Sequence, residues 1–554
     1  LPAGIDFTTD ISPWLGDRVA IALLPSNAAS DTVRENTVVL SAIKDQSRFN
    51  GFLDKLKASW EQPPIERTYQ GVTILQWIAP SSPPEEQPDQ NTPDNPSENA
   101  PSNSPLPTPQ SQFESSSAPD IALQLKQINP TETLHAARAK PTPPFPLPIP
   151  SIPQPVTRGV AIALFPNHVA IASQPETLEK LIRAGTETPL TQNPLFQRTI
   201  HHAQFERSLL VGYGEIAGIS GYLSGLTERL NNPLPTDFPR LDSRQLQLLA
   251  QTYNTVDLHI WVQPEGIHTQ TITHYTTEQP DQATAVRPDL NQILTHLPAA
   301  TYLSANGYNF KQQWQRLIRN IGNNPQQQLR ITSIRNSVRQ LSGLNLEQEL
   351  LPWMDGEYVL FLFPTTGGLL NTIHPQLHLG LGLMLQTSDR TAADLALKTI
   401  DQHVQSMLGK EGAIVSRQIK GHPFVSWEGR DKEKPLSFLA HGWVDDHTLI
   451  ITSGVGAMAP LTPKPFLPLH LNPTFQTAIK GFPQPNDGYF YVNMGATLSL
   501  LYGLILPDLP PAYVPFAQQL QGMIGSIRSI STSTLATATS QQIDTLFVLA
   551  PVRP

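Results

Sequence analysis

Cysteine is absent from the 554 residues, which removes disulfides, thiolate zinc sites, iron–sulfur clusters and thiol nucleophiles together. Charge is scarce as well: Asp, Glu, Lys and Arg make up 15%, against about 25% in an average soluble protein. The polar surface must therefore lean on Gln, Asn, Ser and Thr. A net charge of −9 from 37 basic and 46 acidic residues, with no basic run, offers no stripe to neutralise phosphates and excludes nucleic acid as a partner. No apolar run reaches the roughly 18 residues that a membrane-spanning helix needs. The nearest, Leu498 to Leu506, stops at Pro507.

Proline, by contrast, is abundant at 55, and 20 of these fall between Pro80 and Pro155, interleaved with Ser, Gln, Asn and Glu. That composition cannot bury enough apolar surface to offset chain entropy, and it predicts a long disordered or polyproline-like insert. The remaining length suffices for several domains with substantial cores.

The most informative feature is internal self-similarity. PWLGDRVAIALLP (Pro13 to Pro25) matches PWMDGEYVLFLFP (Pro352 to Pro364), and VVLSAI (Val38 to Ile43) matches LGLGLML (Leu379 to Leu385). A polar turn and an amphipathic helix follow each of the latter, with Phe49, Phe52, Leu53 and Leu56 on one face in the first and Leu397, Ile400, Val404 and Met407 in the second. Gly71 to Trp77 matches Gly421 to Trp427, HVAIAS (His168 to Ser173) matches TLIITS (Thr448 to Ser453), and NPLFQ (Asn193 to Gln197) matches NPTFQ (Asn472 to Gln476). The Asn-Pro pairs are good helix starts. Five matches in one order predict a tandem duplication: a first unit over 1–79 and 158–285, the proline-rich insert over 80–157, and a second unit over 286–554.

Short polar turns between the strands favour antiparallel pairing, so the expected fold is α+β, two duplicated units each with a mainly antiparallel sheet and helices. Ser173 and Glu176 read as a capping box for a helix stopping at Gly185. DLHIWVQPEGIHTQTITHY (Asp257 to Tyr275) reads as a hairpin, and DTLFVLAPVRP (Asp544 to Pro554) matches its first arm. The second unit has a strand, Thr301 to Gly307, and helices before its Pro-Trp pair; the first has twelve residues there, which predicts an equivalent strand and helices upstream of Leu1.

The Pro-Trp strand, the capped helix after HVAIAS, the Asn-Pro-x-Phe helix and the Leu-Pro-Ala-x-Thr-Tyr opening at Leu297 to Tyr302 together resemble the bacterial, largely cyanobacterial family catalogued as domain of unknown function 3352. The resemblance implies an extracytoplasmic soluble part, in periplasm or thylakoid lumen, tethered to a membrane through a segment upstream of residue 1. It implies no known activity and carries over no catalytic residues.

Chemistry is hard to find in the residues themselves. The histidines, 15 in number, cluster as His374 with His378, His201 with His202, and His259, His268 and His274 on one hairpin, but none has a metal-binding spacing such as His-Glu-x-x-His. Whether the hairpin imidazoles share a face depends on a register that one residue would flip. No Gly-x-Ser-x-Gly elbow occurs, and Gly212, Gly214 and Gly218 miss the dinucleotide fingerprint by one residue, reading instead as a strand-to-helix packing turn. No catalytic residue, cofactor or metal is expected. What recurs between the units is aromatic: Trp14 with Trp353, Trp77 with Trp427, Phe196 with Phe475. These read as core packing or, for the four tryptophans, as a concave apolar surface. The expected function is a non-enzymatic scaffold or assembly protein with a membrane protein or membrane complex as partner. The alternative is a carrier of lipid or another apolar ligand, and the third reading a hydrolase using His and a carboxylate.

Overall fold

Two-residue turns with positive φ organise the sheets locally. Gln70 and Gly71 take φ of 48° and 80°, and Lys420 and Gly421 take 50° and 85°, the left-handed pair that matches the twist of adjoining antiparallel strands. The computed structural model describes residues 4–25, 35–78, 159–220, 243–280, 283, 292–321, 325–429, 436–505 and 525–550. The proline-rich insert over 80–157 and the stretch from Gly221 to Gly225 lie outside them. The fold is α+β, with two antiparallel sheets flanked by helices.

The chain divides into two compact units at Arg183/Ala184. The first holds β1 (Leu15–Leu23), β2 (Thr37–Ile43), β3 (Ile65–Tyr69), β4 (Val72–Trp77), β5 (Val160–Leu164) and β6 (His168–Ala172), in the spatial order β1-β2-β6-β5-β4-β3. On one face, helix α1 (Gln46–Ala58) buries Phe49, Phe52, Leu53 and Leu56 with Trp14, Leu75, Trp77 and Ile162. On the other, α2 (Pro175–Glu187) sets Leu178 and Ile182 against Ile74, Ala161, Ala163 and Ala170. A sheet covered on both faces explains its nearly unbroken aliphatic strands. Helix α2 runs two residues beyond Gly185, the expected stop.

The second unit contains a sheet of thirteen strands: β7 (Ser208–Glu215), β8 (Tyr253–Gln263), β9 (Gly266–Tyr275), β10 (Leu303–Tyr308), β11 (Glu357–Pro364), β12 (Leu379–Gln386), β13 (Gly412–Ile419), β14 (His422–Gly429), β15 (Leu436–Trp443), β16 (Thr448–Thr452), β17 (Tyr489–Val492), β18 (Ile527–Ala536) and β19 (Ser540–Leu549). Their order is β13-β14-β15-β16-β12-β11-β10-β17-β18-β19-β9-β8-β7. Strands β7 to β9 thus join the larger sheet, so the spatial boundary at residue 183 differs from the sequence boundary at 285. Among the described residues, the larger unit's helices of seven residues or more are α3 (Pro194–Ile200), α4 (Ser243–Thr252), α5 (Phe310–Ile321), α6 (Pro325–Ser342), α7 (Arg390–Leu408), α8 (Pro473–Ile479) and α9 (Met494–Ile505). One core joins Val359, Phe361, Phe363, Met384, Tyr491 and Leu546 to Phe475 and Ala478 of α8. A second joins Leu385 and Leu449 to Trp314, Trp353, Ala393 and Leu397 under α5 and α7.

The sequence reading of the last strand needs correction. Asp544 lies on the second arm of the β18–β19 hairpin, not on a first arm, because alternating aliphatics look alike in either arm of a hairpin.

Strand β19 pairs along its length with β9, from Ser540 opposite His274 to Val548 opposite Gly266. The ladder ends where Gly266, at φ +154°, brings its backbone so near that a Cβ would lie 1.9 Å from the Phe547 carbonyl oxygen. Gly71, at φ +80°, has open space around the same position. Gly266→Ala is therefore expected to cost about 2–5 kcal/mol from strain plus overpacking, and Gly71→Ala only about 1–2 kcal/mol from its left-handed backbone. Urea denaturation of the two variants checks the difference.

Candidate functional site

Ionisable side chains converge on one face of the β8–β9 hairpin. Its register sets Trp261 opposite His268, His259 opposite Gln270 and Thr255 opposite His274, so His259, His268 and His274 all emerge on the same side as Asp257. His268 Nε2 lies 2.9 Å from Asp544 Oδ1, and Gln270 and Gln542 donate to the same carboxylate at 2.9 and 2.7 Å. Both members of this His–Asp pair are buried. The imidazole also stacks on Trp261, with centroids 4.2 Å apart.

Asp257 is satisfied from two sides. His274 Nε2 lies 2.9 Å from Oδ2, and Thr199 of α3 donates to Oδ1 at 2.7 Å. Arg198 Nη1 stands 3.4 Å from His274 Nδ1; a guanidinium only donates, so Nδ1 accepts and Nε2–H points at the carboxylate. The carboxylate therefore separates hydroxyl from imidazole. Nucleophile activation needs the imidazole between them, so Thr199, Asp257 and His274 do not form a proton-relay triad. Among the described residues, no group of three or more His, Asp and Glu side chains could hold a metal ion.

His259 is the least satisfied member of the layer. It stacks on His202 at 4.1 Å and neither of its buried ring nitrogens has a hydrogen-bond partner among the described residues. Burial, followed by repulsion from a charged His202, pushes its pKa down to about 4. Burial also lowers that of His202.

A second convergence lies between α7 and strands β13 to β15, around a shallow recess of about 260 Å³ lined by Asp394, Asp401, Ser416, His441 and Trp443. Asp401 Oδ1 accepts from His441 Nε2 at 2.9 Å and from Trp427 Nε1 at 2.7 Å. Trp443 donates to Asp394 at 2.8 Å, with the Arg390 guanidinium 4.5 Å above its ring. Sequence reasoning missed this pair of carboxylates. Their spacing of seven residues on a helix, two turns, was the available signal. A larger recess of about 570 Å³ is lined by Asp355, Ser388, Asp445 and Thr448 among others. Its acids have partners within the protein: Asp355 ties two loops by accepting from the Ser388 backbone and hydroxyl, Asp445 accepts from the backbone N–H groups of His447 and Thr448 in its own turn, and Asp446 lies 3.5 Å from the Arg390 guanidinium.

The four tryptophans selected from the sequence take different places. Trp14 packs against Phe49 and Phe52 at 4.9 and 5.2 Å, and Trp77 lies beside Trp60 at 6.2 Å, both in one core of the first unit. Trp353 is buried in the larger unit, donating to the Glu349 carbonyl at 3.1 Å. Trp427 is half-buried and tied to Asp401. His374 and His378 stay exposed on their loop, and His201 caps the end of α3.

The unpartnered His259 generates a pH prediction. A histidine whose folded pKa lies below its unfolded value of about 6.5 contributes stability above that pH and loses it as pH falls toward the folded value. Stability should decline between about pH 6.5 and pH 4, by on the order of 3 kcal/mol for a shift of this size. His259→Phe keeps the stacking shape and removes two unsatisfied nitrogens. It should leave stability at pH 7 unchanged or raised and flatten the decline, as read from denaturant midpoints across pH.

No curated protein matches the chain. A solved structure titled "Structure of crystal form III of TP0453" aligns with 49% of this chain and 83% of its own length, at 11% identity and a TM-score of 0.23; so low a score carries no argument. The family described as "Protein of unknown function (DUF3352)" matches residues 2–549, nearly the whole chain, and the protein belongs to it.

Proposed function

We propose that this is a non-enzymatic, extracytoplasmic scaffold or assembly protein, tethered to a membrane upstream of residue 1 and built from two copies of one α+β unit, the first carrying the proline-rich insert. The observation that carries the reading is that framework contacts recur between the copies while the buried polar groups do not. The strand order β1-β2-β6-β5-β4-β3 is the order β11-β12-β16-β15-β14-β13 met in the larger sheet. Asp6 accepts from the N–H groups of Thr8 and Thr9 at the start of a π-helical turn, and Asn345, at the matching place, accepts from those of Glu347 and Gln348. Phe196 meets Tyr213 edge-on at 5.2 Å, and Phe475 meets Tyr491 edge-on at 5.0 Å.

That last contact sets the register between copies. With Tyr213 matched to Tyr491, their ladder partners match Asp257 to Ser531, and one step along match His259 to Ser533. Across each hairpin Gln270 then matches Asp544. The His–Asp groups consequently have no equivalents in the other copy, and Asp257 and Asp544, alike in sequence context, stand at unrelated positions. A reaction used by both copies would keep its acid and base in both; a stabilising polar layer need not.

A second reading, a carrier of lipid or another apolar ligand, is favoured by one feature of the larger sheet. Leu360, Ala305 and Phe490 form a row across β11, β10 and β17, with Leu381 on β12 beside it, and the three large side chains are each about two-fifths exposed.

Crosslinking of the full-length protein in native membranes, followed by mass spectrometry, tests the first reading. A reproducible membrane-protein partner is expected, and its absence overturns the scaffold. Solvent extraction of the purified chain tests the second: a copurifying lipid or pigment supports a carrier, and a clean extract removes it.

A further inference from the structure

Strand β10 has two neighbours, β11 and β17. In the two-copy correspondence, on which this inference rests, their counterparts are β1 and β7, and among the described residues each of these is the end strand of its sheet. The element that β10 represents has no counterpart among the described residues of the first copy.

The hydrogen-bond phase of β1 fits that vacancy residue by residue. The Leu24 N–H bonds to the Asn36 carbonyl at 2.9 Å, and β1 continues on β2 with Ala22 opposite Val38 and Ala20 opposite Leu40. Antiparallel bonding alternates, so the backbone groups of Leu23, Ile21 and Val19 point away from β2, toward the open edge. In the other copy, Asn309 N–H bonds to the Gly356 carbonyl at 2.8 Å. The same alternation assigns the bonds between β10 and β11 to Tyr358, Leu360 and Leu362, which lie opposite Gly307, Ala305 and Leu303. Through the Pro13-to-Pro25 and Pro352-to-Pro364 match, Tyr358, Leu360 and Leu362 correspond to Val19, Ile21 and Leu23. The residues that β11 offers to β10 are thus the ones that β1 leaves facing outward.

The side chains agree. Val19, Ile21 and Leu23 are 50%, 75% and 42% exposed, an apolar row on an open edge of the kind that proteins ordinarily blunt with charge or proline. The strand that pairs with β11 carries no charge over Leu303–Tyr308 and mixes Leu and Tyr with Ser, Ala, Asn and Gly.

We propose that the open edge of β1 is a strand-acceptor site, taking one extended, uncharged polypeptide segment of the β10 type, antiparallel to β1, on the backbone groups of Val19, Ile21 and Leu23. Main-chain bonds supply the binding and the exposed apolar row supplies register, as in other strand-addition complexes.

The test uses the full chain with a second copy of Thr301–Phe310 fused to its N-terminus through a Gly/Ser linker, which raises the local strand concentration to about the millimolar range. Hydrogen exchange is read at single amides by mass spectrometry with electron-transfer fragmentation. The fusion is expected to slow exchange at Val19, Ile21 and Leu23 by at least about tenfold. Ile21→Pro in the same fusion, tolerated on an edge whose N–H faces outward, is expected to abolish the slowing at Val19 and Leu23. Unchanged exchange in the fusion, or slowing that survives Ile21→Pro, overturns the proposal. So does slowing in the unfused chain that grows with its concentration, which would mean that a second copy takes the edge. Tyr358, Leu360 and Leu362 serve as the control: slow exchange there upholds the β10–β11 pairing from which the phase is taken, so that a failure at β1 falls on the acceptor site alone, whereas fast exchange there removes that pairing as a template.

Discussion

The larger unit depends on the ladder between β9 and β19. These strands lie far apart in sequence, and their pairing joins two three-strand groups, β7 to β9 and β17 to β19, into one continuous sheet. A broken ladder would leave two long strands with unpaired backbone groups, which costs free energy when such groups are buried. At its middle, Gln270 faces Asp544, and the carboxylate takes donors from His268, Gln270 and Gln542. A buried carboxylate is costly without such partners. With them it ties β9 to β19 in one register, since a slip of one residue would turn Asp544 to the opposite face.

Aliphatic packing acts around that ladder in a less selective way. Helices α8 and α7 cover opposite faces of the larger sheet, with Phe475 against Tyr491 on one side and Ala393, Ala396 and Leu397 against Trp353 and Leu449 on the other. The smaller unit repeats the arrangement with bulkier helix residues, where α1 presents Phe49, Phe52 and Leu53 to Trp14 and Trp77. Turns and caps then fix the ends: Asn193 and Asn472 each accept backbone N–H groups at the start of α3 and α8. These are local, inexpensive devices, and they recur because any sequence forming this strand and helix order needs them.

The polar layer has a different logic. His268, His274 and His441 each face one aspartate at 2.9 Å, and each aspartate has a further protein donor. Such saturation makes these pairs good structural ties, since each holds two or more elements in one register through a fully partnered carboxylate. His259 departs from the pattern, with no partner for either buried nitrogen among the described residues, and the cost appears as its depressed pKa.

Much of the framework was legible in sequence because it rests on short-range rules. The repeated aliphatic segments gave β1, β2, β4, β6, β11, β12, β14 and β16; Asp45 and Asp389 precede the apolar faces of α1 and α7, whose starts they cap. Helix α2 ran past Gly185 because a single glycine only weakens a helix that packs Leu178 and Ile182. The polar site was half legible. Its histidines were visible, but their common face waited on the register, and Asp544 was assigned to the wrong arm because alternation is the same in both arms. The ties of Asp401 to His441 and Trp427 span separate elements, so no local pattern contained them. Sequence alone determined the elements, their caps and turns, and the chemistry excluded by the lack of cysteine. Only the tertiary structure decided that β9 pairs with β19, that the smaller sheet ends on β1 among the described residues, and which histidine meets which acid, since these depend on contacts between separate elements, from 17 positions apart for His274 and Asp257 to 276 for His268 and Asp544.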